Sequence, residues 1–335
     1  MLTLNRRSLA AGLVAGLVLA PAAAALAQTK RVTIGTNPAG SIYYALGGGL
    51  AKVFTEKMDV QAIVQPYAGS SVYLPLVNNG EVTTGLSSTL DSGAAYNGAD
   101  GRKPMKDMRS LVRIFSLPYT FMVRADSELK TVADLKGKKV VMVFKALRGL
   151  QPMNEAMILA GGLKLSEITP ITVAGLKQGL DAVADKTADA TAIAAGIAMV
   201  KEVHASIPGG IRYLNITGSN ASDDFMEKTL AGSALMELKP NPRMPEVTEP
   251  INIGTYHVYL IAGAKLSNAD AEKMTNVLID NWPALQKDYP ALRAAKLDDL
   301  SLPANVLPYH PGAVAAFKAR NMWLQKNNMA EAKFK

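Results

Sequence analysis

The sequence predicts an α/β fold of two lobes, in which the second lobe is inserted into the first. Short apolar runs typical of strands alternate with segments of helical spacing over residues 31–97. The same alternation starts again near residue 139, and one further strand and two helices follow after residue 255. Strands that alternate with helices indicate a largely parallel sheet with helices packed on it. Because the first unit is interrupted by the second and resumes after residue 255, the sequence indicates two α/β units connected by two chain crossings.

The first unit has three predicted strands, and each is followed by a loop of small polar residues that starts a helix. The strands are 31–34, 60–66 and 81–86, and the loops are 35–41, 67–71 and 87–91. In a parallel sheet such loops lie together at the carboxyl edge, where ligands bind. Helix N-termini also present unpaired N–H groups and a partial positive charge. The pattern therefore predicts an anion-binding site, although an ordinary capped turn with tyrosines in the core would fit the first loop as well.

The remaining elements follow the same reasoning. Before the second unit we predict two strands, 109–115 and 120–124, separated by a loop at 116–119. The second unit is predicted to contain strands 139–144, 168–173, 188–194 and 211–216 and helices 151–160, 176–184 and 197–205. Four prolines make 237–249 and its flank irregular. The chain then returns through strand 256–262, a helix over 267–288 capped by Ser267, and helical spacing over 313–327.

The first 27 residues have the features of a secretory signal peptide. A basic start with Arg6 and Arg7 precedes an apolar run over 9–20, and small residues occupy 25–27. We expect cleavage before Gln28 and a periplasmic location, by general secretion or twin-arginine export. The chain has no cysteine, so we expect no lipid anchor at the cleavage site and no disulfide.

Other classes of chemistry find little support in the sequence. The three histidines, His204, His257 and His310, are far apart and lack the spacing of metal ligands, so no metal site is expected. No serine lies in a Gly-x-Ser-x-Gly elbow, and no basic helix face is interleaved with aromatic residues. We expect neither an enzyme nor a nucleic-acid-binding protein, and no cofactor. His310 is expected to have a structural role.

Several motifs resemble those of the solute-binding proteins in the TAXI branch of TRAP transporters. The matching stretches are Ile34-Gly35-Thr36 through Gly40, Tyr43-Tyr44, Ala68-Gly69-Ser70, Asp134-Leu135-Lys136-Gly137-Lys138, residues 175–190 and Pro308-Tyr309-His310-Pro311-Gly312-Ala313. The resemblance implies a type II periplasmic-binding-protein fold, with two α/β lobes, two hinge strands and a ligand cleft between the lobes. Lobe 1 would comprise residues 28–120 and 256–335, and lobe 2 residues 121–255.

The resemblance also implies a function. The chain would capture a small organic anion (a dicarboxylate, a keto acid or an amino acid such as glutamate) and deliver it, as a monomer, to the membrane subunits of a TRAP transporter. A ligand sensor that presents its closed form to a membrane sensor kinase is the alternative. The ligand-binding residues carried over by position are Gly40, Ser41, Tyr43, Tyr44, Gly69, Ser70, Ser71, Ser88 and Asp91.

Two further site residues are not carried over from the family. The family usually has a glycine–serine–threonine loop after the first strand of the second lobe, but here the stretch 144–151 contains Arg148. We predict that Arg148 donates to a ligand carboxylate; the alternative is a solvated position on the rim of the lobe. Tyr256 and His257 lie on a predicted hinge strand, where side chains alternate between faces, so only one of them can face the cleft. Tyr256 is included in the predicted site.

Overall fold

A computed structural model describes residues 30–335. The predicted signal peptide, residues 1–27, lies outside this range. The strands are β1 (Lys30–Thr36), β2 (Val60–Pro66), β3 (Thr84–Ser88), β4 (Met108–Arg124), β5 (Lys139–Phe144), β6 (Thr169–Val173), β7 (Ala190–Ala194), β8 (Ile211–Tyr213), β9 (Ser233–Leu238) and β10 (Ile251–Gly263). The helices are α1 (Ile42–Met58), α2 (Ser70–Asn79), α3 (Thr89–Asn97), α4 (Leu150–Ala160), α5 (Leu176–Ala184), α6 (Ala198–Ser206), α7 (Asp223–Thr229), α8 (Asn268–Asp288), α9 (Pro311–Ala319) and α10 (Gln325–Glu331).

The strands form one hydrogen-bonded sheet in the order β2-β1-β3-β10-β4-β7-β5-β6, with β8 beside β4 and β9 beside β10. Strand β1 is parallel to β2 and β3, and β5 is parallel to β6 and β7. The two central strands, β4 and β10, run antiparallel to each other and to their neighbours. Two parallel α/β units therefore flank one antiparallel pair.

Strands β4 and β10 each belong to both units. The C-terminal half of β10 pairs with β3, whereas its N-terminal half pairs with β9. Strand β4 pairs with β10 over most of its length and then, from Tyr119 onwards, with β7 and β8. We call the unit around β1, β2 and β3 the first lobe and the unit around β5, β6 and β7 the second lobe. The lobe boundaries predicted near residues 120 and 256 fall inside these two strands, and they stay predictions.

The predicted break in the first hinge strand is wrong. Residues 116–119 do not form a loop; β4 is continuous through Pro118, which pairs in register with Thr255. Proline has no N–H to donate to a ladder, but the Pro118 carbonyl accepts a hydrogen bond from the Ala195 N–H at 3.1 Å. This bond links the middle of β4 to the residue that follows β7.

Two predictions about individual residues are confirmed. Ser267 caps α8, its hydroxyl accepting from the Asp270 N–H. His310 has a structural role, because its Nδ1 accepts from the Gly312 N–H at the start of α9 and its Nε2 lies 3.0 Å from the Leu266 carbonyl oxygen.

Other element predictions need correction. The helical spacing over 313–327 belongs to two helices, α9 and α10, because the chain turns between them at Asn321 with φ 56°. Helix α7 and strand β9 were not predicted. Within residues 30–335, no helix is both long and apolar enough to cross a membrane.

The hinge pair contains a histidine that stays neutral in the folded chain. His257 of β10 accepts at Nδ1 from Arg113 Nη2 at 2.9 Å, and the same nitrogen lies 3.1 Å from Ser116 Oγ. Burial lowers the pKa of His257 to about 4, and the positive charge of Arg113 acts in the same direction. The unfolded chain, with an ordinary histidine pKa, takes up this proton at a higher pH than the folded chain does.

We therefore expect the fold to lose stability in mild acid through His257. The stabilising contribution is complete above the ordinary histidine pKa and is lost as the pH falls towards the folded value. Its loss should lower the free energy of unfolding by about 2 kcal/mol between about pH 7.5 and about pH 5. Urea unfolding of the wild type and of His257→Gln at both pH values measures it. An equally steep pH dependence in both proteins would contradict this assignment.

Candidate ligand-binding cleft

The three predicted loops of the first lobe lie at the carboxyl ends of β1, β3 and β2, as expected. Ser41 caps α1, and its hydroxyl accepts from the Tyr44 N–H at 3.2 Å. Ser88 caps α3 in the same way by accepting from the Asp91 N–H at 2.9 Å. Helix α2 starts after Gly69, which has no side chain to cap it. Two of the three helix starts are thus satisfied by their own serines.

A narrow, partly open cavity of about 20 Å³ lies between the two lobes. Its lining residues come from both lobes and from both hinge strands, and none of them is charged. The first lobe supplies Asn37, Ser41, Ile42 and Tyr43; the hinge strands supply Leu117, Tyr119 and Tyr256; and the second lobe supplies Leu147, Leu150, Leu176, Ile193, Ala194 and Ile197. The walls are therefore aromatic and aliphatic with few polar groups, as in most small-molecule sites.

Tyrosines form the aromatic part of this wall. Tyr119 and Tyr256 pack together with their ring centroids 5.5 Å apart and their planes tilted by 60°. Burial raises the pKa of Tyr43, Tyr119 and Tyr256, so all three phenols are neutral at physiological pH. His257, the neighbour of Tyr256, instead contacts Arg113 and Ser116. The prediction that only one of these two residues faces the cleft is confirmed.

Beside the cavity, the buried carboxylate of Asp91 connects the two lobes. Its Oδ2 accepts from the hydroxyls of Ser70 at 2.7 Å and Ser88 at 3.2 Å, both in the first lobe. Its Oδ1 accepts from the Gly149 N–H at 2.9 Å, at the N-terminus of α4 in the second lobe. Burial raises the pKa of Asp91, and these hydrogen bonds together with the charge of Arg102 oppose the rise.

The lobes also meet through direct backbone contacts. The Ser71 N–H donates to the Ala146 carbonyl at 3.1 Å, and the Arg148 N–H donates to the Ser71 hydroxyl at 3.1 Å. A further bond across the lobe boundary runs from the Met199 N–H to the Gly40 carbonyl at 3.3 Å. The structure is therefore a closed arrangement in which the lobe edges are hydrogen-bonded to each other.

The predicted site residues separate into three groups. Ser41, Tyr43 and Tyr256 line the cavity. Gly40, Gly69, Ser71 and Asp91 contact the second lobe, and the hydroxyls of Ser70 and Ser88 donate to Asp91 within the first lobe. Tyr44 and Arg148 are exposed and do not line the cavity. Ligand contact by any of these residues, including the proposed role of Arg148, stays a prediction.

Most of the second-lobe wall was missed from the sequence. Leu147 and Leu150 follow β5, Leu176 follows β6, and Ile197 follows β7. These positions lie at the carboxyl ends of the second-lobe strands, but they are apolar and resemble ordinary core, so no small polar loop marks them as part of a site.

Residues 34–319 match the sequence pattern of the NMT1-like family. The chain belongs to this family. Solved structures with a similar fold include the alkanesulfonate-binding protein SsuA from Xanthomonas axonopodis pv. citri bound to MOPS, with 17% identity over 91% of this chain and 98% of that one at a TM-score of 0.48. A TctC solute-binding protein from Polaromonas has 16% sequence identity over 91% of this chain and 98% of that one, at a TM-score of 0.45. The GluR0 ligand-binding core from Nostoc punctiforme in complex with L-glutamate has 13% sequence identity over 78% of this chain and 98% of that one, at a TM-score of 0.47. The fold of this NMT1-like chain has the predicted two α/β lobes joined by two strands.

The contact at Gly69 allows a test of lobe closure in this NMT1-like protein. A Cβ at Gly69 would overlap the Ala146 carbonyl oxygen across the lobe boundary. Gly69→Ala should therefore lower the equilibrium constant for closure of the lobes by roughly 5- to 150-fold, because an added methyl group overpacks this close contact. Small-angle X-ray scattering should show a larger radius of gyration than for the wild type.

Gly175→Ala is the matched control, because a Cβ there would lie 3.4 Å from Gln178 Oε1 and 3.6 Å from the Ala68 carbonyl oxygen, both ordinary contacts. Its backbone is extended and accepts alanine without strain. Identical scattering from both variants and the wild type would show that the Gly69 contact does not govern closure.

Proposed function

We propose that this protein is a solute receptor of the periplasm that encloses a small organic molecule between its lobes and presents the closed form to a membrane transporter. One observation carries the proposal. A cavity with residues from both lobes lies at the pair of strands, β4 and β10, that join the lobes. A ligand in this cavity touches both lobes only when they are closed, so binding shifts the protein towards the closed form.

The partner and the location rest on the sequence. The motifs from Ile34 to Ala313 resemble those of TAXI-branch solute-binding proteins, and residues 1–27 resemble an export signal. On that basis the partner is the membrane part of a TRAP-type transporter. Co-purification of the closed receptor with those membrane subunits, and not with a sensor kinase, is the expected result.

The receptor role is tested by a ligand screen on the purified protein. The library contains dicarboxylates, keto acids, amino acids and aromatic acids together with their uncharged counterparts. A ligand at 100 times its Kd should stabilise the fold by about 2.7 kcal/mol and raise the melting temperature by roughly 5 °C or more. It should also reduce the radius of gyration. A complete screen without a stabilising compound would contradict the proposal.

A pair of tyrosine variants locates the ligand. Tyr256→Phe keeps the ring in the cavity wall and removes only the hydroxyl. It should raise the Kd of a ligand found in the screen by about 2- to 10-fold, the usual effect of losing one hydrogen bond. Tyr289→Phe removes the same atom from a half-buried tyrosine that does not line the cavity, and should leave the Kd unchanged. Isothermal titration calorimetry measures both. Equal effects of the two substitutions would place the ligand elsewhere.

A further inference from the structure

The cavity and the contacts beside it differ in chemistry, and this difference bears on the ligand. We infer, on the basis of the proposed receptor function, that the cleft takes a compact, largely apolar molecule without a carboxylate, and that Asp91 excludes acidic ligands. This deepens the proposed function by naming the ligand class. It differs from the organic acid that the family resemblance implies.

The wall of the cavity is mainly aromatic and aliphatic and carries no charge. Tyr43, Tyr119 and Tyr256 supply aromatic faces, and Leu147, Leu150 and Ile197 supply aliphatic ones. None of the lining residues carries a positive charge that could pair with a carboxylate. Arg148, the basic residue predicted for that role, is exposed on the second lobe. An ionised ligand in this cavity would lose its hydration without gaining a charged partner, which is costly.

The donors that an acidic ligand would use already have a carboxylate partner. A carboxylate in such a cleft is usually held by hydroxyls and by backbone N–H groups at helix N-termini. Here the hydroxyls of Ser70 and Ser88 and the N–H of Gly149 all donate to Asp91. The protein thus supplies its own carboxylate to these three donors. They are not free to bind a second one while the lobes are closed.

The negative charge of Asp91 also disfavours an acidic ligand in the cleft. Asp91 is 2% exposed, so water screens its charge poorly. Besides burial, the charge of Asp91 contributes to the raised pKa of Tyr43, Tyr119 and Tyr256, which means that its field reaches the cavity wall. A second carboxylate in the same space would be repelled. A neutral or positively charged group would not be.

The polar part of the ligand is indicated by Asn37. This side chain lines the cavity and is 6% exposed, and among residues 30–335 its Oδ1 has no hydrogen-bond partner. A buried acceptor without a hydrogen-bond partner destabilises the fold, and a ligand that donates a hydrogen bond to Asn37 would remove this cost. The ligand therefore combines an apolar body with a hydroxyl or amine donor.

Two matched trios of probes test the charge preference. The first is benzyl alcohol, benzylamine and benzoate, and the second is cyclohexylmethanol, cyclohexylmethylamine and cyclohexanecarboxylate. Within each trio the ring is constant and the charge is zero, positive or negative. We expect the alcohol or the amine to bind at least about tenfold more tightly than the acid, measured by thermal shift and calorimetry.

The same trios on Asp91→Asn test the cause. Asparagine keeps an acceptor for the Gly149 N–H, and the hydroxyls of Ser70 and Ser88 can turn to accept from its amide, so the variant should fold. It should reduce the preference for the alcohol over the acid to about threefold or less. Asp126→Asn is the control, since it also removes one carboxylate but from the surface pair with Arg124. It should leave the preference unchanged.

The outcomes separate this inference from the receptor function. An acid that binds the wild type as well as its alcohol, or better, overturns the ligand class and leaves the receptor function intact. A preference that persists in Asp91→Asn overturns the role of Asp91. If no member of either trio binds, the ligand class is wrong, and the broad library then decides the receptor function on its own. Should Asp91→Asn fail to fold, the wild-type trios still decide the ligand class.

Discussion

The structure depends on the continuity of β4 and β10 through both lobes. Each strand serves as an inner strand of one lobe and then enters the other, and the two are hydrogen-bonded to each other along most of their length. Because a hydrogen-bonded ladder resists sliding, the lobes can move mainly by bending and twisting of this pair. The cavity lies against the pair, with Leu117, Tyr119 and Tyr256 as its floor.

The polar contacts between the lobes and the wall of the cavity use different residues in this protein. The lobes meet through hydrogen bonds between polar groups at the edges, with Asp91 in a central position. The cavity wall is aromatic and aliphatic. The polar edges fix how the lobes fit together, and the apolar wall would provide the free energy of burying the proposed ligand. Such a division allows the ligand to change while the closing geometry stays the same.

The sequence was sufficient for the fold and for part of the cleft. Strand–helix alternation identified both units and the return of the chain, and small polar loops identified the first-lobe edge that faces the second lobe. Local patterns could not show that Ser70, Ser88 and Asp91 bind one another, because Asp91 lies 21 residues from Ser70 and reaches Gly149 only across the lobe boundary. Pro118 suggested a break in the strand because proline has no N–H to donate to a neighbouring strand. The hydrogen bond from the Ala195 N–H to the Pro118 carbonyl depends on tertiary structure, so the sequence could not reveal it.

The absence of side chains at Gly69 and Gly149 has a consequence for how affinity can be adjusted. A Cβ at either residue would overlap the facing lobe, at the Ala146 carbonyl or at Asp91. The apparent affinity of a receptor scales with the fraction of molecules that can close. A substitution at Gly69, which does not displace Asp91, would therefore change the sensitivity of the proposed receptor and keep its selectivity. Gly69 is a suitable site for building a series of biosensors that report the same compound over different concentration ranges.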